Sequence, residues 1–429
     1  MSLLKNGFKG VILLGVVGIC SSLTTAQSLQ TYQEKAAQNN PQLRATYFEY
    51  LASLEQIAQV GALPDPELSF AWFILPVDTR LGPQQARISY TQMFPWFGSL
   101  KDNQTSQSLA AKARFEHFRD TRNQLFYQME VLWAQLYETS EKLRLANENL
   151  EVVNTLVNVS LRKYETGLVP QVDVLRAQIE QEDLKTNIAL LEDELDVQKS
   201  AFNTLRNVPL DADIRLPSSI DVSGDLFSDE VEFRQRVQSN NPDINRLRLL
   251  EEQANSDLEI ASNRAKPGFG VGFDYIATGE RSDIPALIDN GRDALIARVN
   301  IKIPLFRSKN RAAHQQAMNN WSASKERLSD REIELEQLVY RVIRDYEDAQ
   351  RRYTLYDQQQ IQRLEQAVRI MLQSYATDNS DFEEILRLQR KLFEYELQRV
   401  KAKTDQKTAS AFLNYLSGTH NITPQEINY

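Results

Sequence analysis

Apolar residues recur along this chain in two rhythms, a helical one running for tens of residues and a strand-like one confined to four short stretches. From Ser28 to about Ala62 the spacing is helical and is stopped by Pro64–Asp65–Pro66. Two strands are expected next. In Glu67–Ile74, Phe70, Trp72 and Ile74 share a face; in Ala86–Met93, Arg87, Ser89 and Thr91 alternate with Ile88 and Tyr90. Pro76–Pro83 between them reads as a loop. No Pro or Gly interrupts Ser99 to Tyr164, which predicts one helix of about 100 Å at ~1.5 Å per residue. Leu125, Met129, Leu132 and Leu136 form a coiled-coil seam that Leu143, Leu150, Val153 and Val157 continue. After a break, Leu184, Ile188, Leu191, Leu195, Phe202 and Leu205 give the same spacing on a returning helix.

The order then repeats. A helix is expected over about Ser228–Ala265, and strands over Phe269–Ile276 and Leu295–Ile303 around a polar loop, Ala277–Arg292. In the last strand Leu295, Ala297, Val299, Ile301 and Ile303 face one way, and Ile296, Arg298, Asn300 and Lys302 the other. A long helix over about Ser308–Ala376 carries Leu335, Val339, Val342 and Tyr346, then Leu364, Val368, Met371 and Tyr375. A last helix, Phe382–Ser417, returns and stops at Gly418. Landmarks match between the halves: Asn39–Asn40–Pro41 with Asn240–Asn241–Pro242, Pro95–Trp96–Phe97 with Pro304–Leu305–Phe306, and YETGLVPQVDVLRAQ (164–178) with YATDNSDFEEILRLQ (375–389). The offsets are 201, 209 and 211, which reads as one duplication with small insertions rather than a solenoid. Gly167 and Pro170 in the first copy of the last landmark, and Asp378–Asn379–Ser380 in the second, break the helical pattern, so each is expected to be a hairpin tip. The expected division is 1–26, 27–227 with a connector at 207–227, and 228–429.

Composition narrows the function. A formal charge of −9 offers no basic field for nucleic acid. Cys20 is the single cysteine, so disulfide and thiolate-metal frameworks within the chain are excluded. His117, His314 and His420 lie far apart and read as exposed polar residues rather than ligands. Lys5 and Lys9, the short apolar run Val11–Ile19 and Thr24–Thr25–Ala26 form a secretory signal, with cleavage expected near Ala26. Acylation of Cys20 is the weaker alternative, because Ile19 is bulky. Beyond the signal no apolar run approaches the ~20 residues of a spanning helix. No nucleophile–base pair, metal cluster or phosphate loop is recognisable, and no cofactor is expected. The glycines of PGFGVGF (267–273) lack a following helix and Lys–Ser/Thr, and read as close-packed strand positions.

Four strands of about nine residues, apolar on one face and polar or small on the other, have the length and pattern of a barrel wall. Four cannot close a barrel, and open edges in lipid are prohibitive, so a membrane role requires several chains to share one barrel. Here the chain resembles the TolC family of outer-membrane efflux proteins, through its signal, duplicated halves, paired strands, very long helices and YxTG-type tip. The segment with GALPDPELSF and QMFPWFGSLK (61–101) is most similar to the heavy-metal, Cus/Czc-like branch. The resemblance implies a mainly α fold with a small β part. Three chains would form a periplasmic α-barrel of duplicated helical hairpins and a 12-stranded outer-membrane β-barrel. It also implies a passive duct rather than an enzyme, partnered by a periplasmic adaptor, an inner-membrane pump and outer-membrane lipid, in a Gram-negative bacterium.

Site residues follow from the same resemblance. Family members narrow at the periplasmic end through inward acids. The matching position is Glu384, with Asp378, Asp381 and Glu383 as neighbours and Asp173 as the first-tip counterpart. Carboxylate rings select cations. Arg387 replaces an acid of some members and could pair with Glu384, weakening such a ring; helix-start carboxylates favoured by the helix dipole are the plainer account. Tyr164, Thr166, Gly167, Leu175, Tyr375 and Leu386 are candidate adaptor contacts or tip packing. Arg87, Arg298 and Lys302 are candidate lumen residues, for selectivity or as salt-bridged strand positions. The competing reading of the whole is a secreted, soluble coiled-coil scaffold or chaperone with a small sheet.

Overall fold

The computed structural model describes residues 29–222, 229–283, 288–376 and 382–419. The expected signal and Cys20, as well as His420, lie outside them. Each half opens with two helices rather than one. Helix α1 (Leu29–Asn39) is followed by α2 (Pro41–Gly61), and, after α3 and α4, α5 (Glu230–Asn240) is followed by α6 (Pro242–Asn263). The helices expected to be continuous over Ser28–Ala62 and Ser228–Ala265 therefore break at the Asn–Pro pairs, for a definite reason. Asn40 and Asn241 are extended N-caps: Asn40 Oδ1 accepts from the Leu43 N–H, and Asn241 Oδ1 from those of Asp243 and Ile244. Pro at the first helical position needs no donor there.

The long hairpins are as the seams predict. Helix α3 (Ser99–Glu165) is 67 residues long, about 100 Å, and returns as α4 (Gln171–Leu205). In the second half α7 (Arg307–Leu355) and α8 (Ile361–Ala376) return as α9 (Phe382–Ser417). The single helix expected over Ser308–Ala376 is interrupted by a π-helical turn, Tyr356–Gln360. The seam explains it. Four-three spacing from buried Val342, Tyr346 and Ala349 arrives at 360, yet the next buried position is Ile361, so one residue must be absorbed. This half is also the one with extra residues, the offset growing from 209 at Pro304 to 211 at Tyr375.

The cores of the halves are the same core used twice. Tyr32, Ala36 and Leu43 pack with Phe118, Phe126, Met129 and Phe202; their counterparts Phe233, Val237 and Ile244, each 201 residues on, pack with Leu335, Val339, Val342 and Leu413. The N-caps lock this packing, since Asn40 Nδ2 donates to the Leu205 carbonyl and Asn241 Nδ2 to that of Leu416, the last turns of α4 and α9. Both returning helices then end with a left-handed residue, Asn207 and Gly418. The connector does not hang free: Ile214 joins the first core, and Ile220 packs against Tyr137, Leu145 and Val400.

The four strands, β1 (Glu67–Thr79), β2 (Gly82–Phe94), β3 (Gly268–Thr278) and β4 (Ala294–Lys302), make one antiparallel sheet in chain order. β1 and β2 are longer than expected, and Pro76–Pro83 is not a loop. Pairs Val77↔Gln84, Asp78↔Pro83 and Thr79↔Gly82 extend the hairpin to a two-residue turn, after a bulge between Trp72 and Val77. That bulge breaks the two-residue alternation on which the shorter prediction rested. β1 and β4 are both unpaired edges within the chain.

Candidate functional site at the two ends of the molecule

Register sorts the sheet residues by face. Phe70, Trp72, Ile88, Tyr90, Phe273, Tyr275, Leu295 and Val299 line up across the strands on one side, and all are exposed. Trp72 is 76 % exposed and Ile74 91 %, and the row forms a contiguous apolar patch left uncovered within the chain, the mark of an interaction or membrane surface. Trp96, Phe97 and Phe269 gather where the sheet meets the helices, with ring centroids about 6 Å apart and Lys266 over the Trp96 ring.

The other face is polar, and it brings two of the three residues expected there together. Arg87 Nη2 donates to Asp274 Oδ2 at 2.9 Å, and Arg298 Nε lies 2.9 Å from the same oxygen as an ionic contact, off the hydrogen-bonding direction. The Asp274 side chain is 1 % exposed, while both arginine side chains remain about a third open. Arg298 Nη2 also donates to Thr91 Oγ1. Gly272 makes this possible: a Cβ there would sit 2.9 Å from the Tyr90 carbonyl and 3.4 Å from Arg298 Nη2. Gly272 is thus the floor under the ion cluster. Lys302 stands apart, at the end of β4, exposed and in no ion pair among the described residues. Sequence reasoning missed Asp274. Its signal was available, one acid at an inward position of a strand flanked by two strands bearing inward arginines.

At the opposite end the two tips are joined by cross-hairpin contacts. Lys163 Nζ donates to the Tyr375 carbonyl at 2.6 Å and lies 3.9 Å from the centre of the Tyr375 ring. Arg176 bridges to Glu383 at 3.0 Å and approaches Asp173 at 3.6 Å, and Arg390 pairs with Glu180. Glu384 and Arg387 are paired through two hydrogen bonds, the Nε one at 2.8 Å, three residues apart on α9. The Arg387 guanidinium holds the Glu384 carboxyl below its usual range, and the carboxylate raises Arg387. Asp378 and Asp381 lie outside the described residues.

The tip residues divide by burial. Tyr375 (4 % exposed) and Leu386 are interior, packed with Leu156, Ala177, Phe382 and Ile385. Tyr164 and Leu175 (48 % exposed) face outward, as do Leu168, Val172 and Ile179. Thr166 Oγ1 donates back to the Arg162 and Lys163 carbonyls, and Gly167 takes the left-handed conformation that closes α3. Sequence reasoning did not find Lys163, Arg176, Arg390 or Glu180, because contacts between the two hairpins have no spacing signature in either.

No described helix is long and apolar enough to cross a membrane. Among the described residues no group of three or more His, Cys, Asp or Glu could hold a metal ion. The fold is that of solved outer-membrane channels. The outer-membrane channel OprN superimposes with a TM-score of 0.78 at 16 % identity, covering 91 % of this chain and 89 % of that one. The outer membrane protein VceC from Vibrio cholerae gives 0.75 at 17 % identity, over 91 % and 96 %. CusC gives 0.68 at 19 % identity, over 91 % of each, so the fold comparison does not single out the heavy-metal branch. No curated protein sequence matches the chain. The family model for outer membrane efflux proteins matches residues 33–208 and 233–419, one match to each half. The chain therefore belongs to the outer membrane efflux protein family, channels of the Gram-negative outer membrane with a large periplasmic part.

Proposed function

We propose that this protein is the outer-membrane exit duct of a tripartite export system, a homotrimer that receives cargo from an inner-membrane pump through a periplasmic adaptor and performs no chemistry itself. The observation that carries the proposal is the sheet: a continuous exposed apolar face, a polar face holding an ion cluster, and two unpaired edges. In lipid each unpaired backbone group costs several kcal/mol, so such a sheet is stable there only when closed by further strands. Three copies supply twelve, with Trp96, Phe97 and Phe269 at the height of an interfacial aromatic girdle. The soluble-scaffold alternative gives the apolar face no occupant.

In this reading the hairpin tips form the periplasmic entrance. Among the described residues their carboxylates are paired: Glu384 with Arg387, Glu383 with Arg176. The tip acids thus act first as ties, and the entrance has only a modest cation preference. An adaptor meets the outward Tyr164, Leu168 and Leu175 of the first tip. Purified protein in planar bilayers is expected to conduct ions. Glu384→Ala is expected to lower cation preference, and Arg387→Ala to raise it by freeing the Glu384 carboxylate. Absence of conductance overturns the duct; conductance with unchanged selectivity in both variants overturns the role of this pair.

A further inference from the structure

The sheet's two edges carry more information than the need for a partner. Cross-strand pairing runs Glu67↔Thr91, Thr91↔Gly272, Gly272↔Arg298, so Glu67 shares the polar face with Arg298 and hence with Asn300 and Lys302. Glu67 is the first residue of β1, and its only charged residue on that face before the bulge; Lys302 is the last residue of β4. Both are exposed, and among the described residues neither forms an ion pair. β1 and β4 run in opposite directions, so β4 of one copy can pair with β1 of the next antiparallel, as every other neighbour does.

Face and stagger restrict the register of that seam. A shift by an odd number of residues would turn apolar side chains inward, so only even shifts survive. The row that begins at Glu67 meets β4 at Arg298, four residues above Lys302. Rotational symmetry returns the next Glu67 to the height of the first, so the shift per copy has the same sense as this offset. A shift of four residues, about 13 Å at ~3.3 Å each, across four strand spacings of ~4.8 Å gives a tilt of about 35°, within the usual range for barrels. It places Glu67 of the next copy opposite Lys302 and pairs Ala297–Lys302 with Glu67–Trp72, the part of β1 ahead of its bulge. A shift of six would set Ser69 opposite Lys302 and push Glu67 past the end of β4. The segment before β1 agrees with the smaller shift. Asp65 precedes Glu67, and the ~690 Å³ cavity beside the end of β4 is lined by Lys302, Lys309, Lys266 and Arg264, cations in no ion pair among the described residues.

We infer that the chain is closed into its barrel by a specific seam in which β4 pairs with β1 of a second copy, Glu67 lying opposite Lys302. The acidic segment 65–67 of that copy covers the basic cavity at the foot of β4. The inference rests on the trimeric-duct reading and adds the register, the salt bridge and the occupant of the cavity.

Disulfide trapping tests it. Because Cys20 is the only native cysteine, Glu67→Cys combined with Lys302→Cys introduces the only pair that can meet across a seam, the single variants serving as controls. Directly opposed Cβ atoms in an antiparallel pair lie about 4.5–5.5 Å apart, close enough to bridge with slight adjustment. The expected result, on non-reducing gels of membranes from cells making the full chain, is a ladder ending at three chains for this pair, with little from Ser69→Cys with Lys302→Cys. The reverse, a ladder from the 69/302 pair alone, overturns the register while leaving the trimer intact. A detergent-extracted particle of one chain overturns the trimer as well. Charge exchange gives an independent arm: Glu67→Lys is expected to lower the temperature at which the extracted trimer dissociates, and Glu67→Lys with Lys302→Glu to restore it. No restoration overturns the salt bridge.

Discussion

Single residues set the chemistry at both ends, and they differ in how readable they were. Arg87 and Arg298 could be assigned to the polar face from alternation alone, but their joint hold on Asp274 requires three strands in register. At the tip, Glu384 and Arg387 stand three apart on one helix, so their pairing was legible as soon as the helix was. This pair makes a pH prediction. Arg387 depresses the Glu384 carboxyl, so the ionised pair is present above the ordinary carboxylate range and is lost only as pH falls through the depressed value. The cation preference of the wild-type pore should therefore persist through pH ~4.5, near the ordinary value, whereas that of Arg387→Ala should be falling there. Reversal potentials measured from pH 7 to pH 4 decide it, and coincident profiles would contradict it.

Elements were legible where apolar spacing was long and regular. The 67-residue α3, the hairpin returns and the strand cores of β3 and β4 all follow from it. Three features broke the rhythm and escaped it: the Asn–Pro caps that split the opening helices, the π turn at Tyr356–Gln360, and the bulge that lengthens the β1–β2 hairpin. Each changes the register by a local event; the caps are fixed by a side-chain hydrogen bond and the π turn by the next buried position, which periodicity does not show. Asn40 and Asn241 are the clearest, because each caps its own helix and also holds the last turn of the returning one. Asn241→Ala should cost about 1–2 kcal/mol, and Asn40→Ala a similar amount. Denaturation of the extracted protein checks this; two values near zero would mean that the caps are incidental to the repeat.

On the scale of the whole molecule, duplication supplies matched halves, yet the halves are not interchangeable. The first tip presents outward apolar side chains, whereas the described apolar residues flanking the second, Tyr375, Phe382, Ile385 and Leu386, are interior, and in the proposed seam the β1 and β4 edges, one from each half, are complementary rather than alike. A chain so built has a head-to-tail surface, the kind that closes into a ring when the rotation allows. Four strands make that closure obligatory in lipid, and three copies give a barrel of twelve. The fold of one chain was thus legible from one sequence, whereas the number of copies depends on an assembly that one chain does not contain.

The measurement that bears most directly on this account is the mass of the mature protein extracted from membranes in detergent. The account predicts a particle of three chains that sediments with the outer membrane and requires detergent to remain dispersed. A soluble monomer or dimer recovered without detergent would contradict it, because the exposed face of the sheet would then never meet lipid.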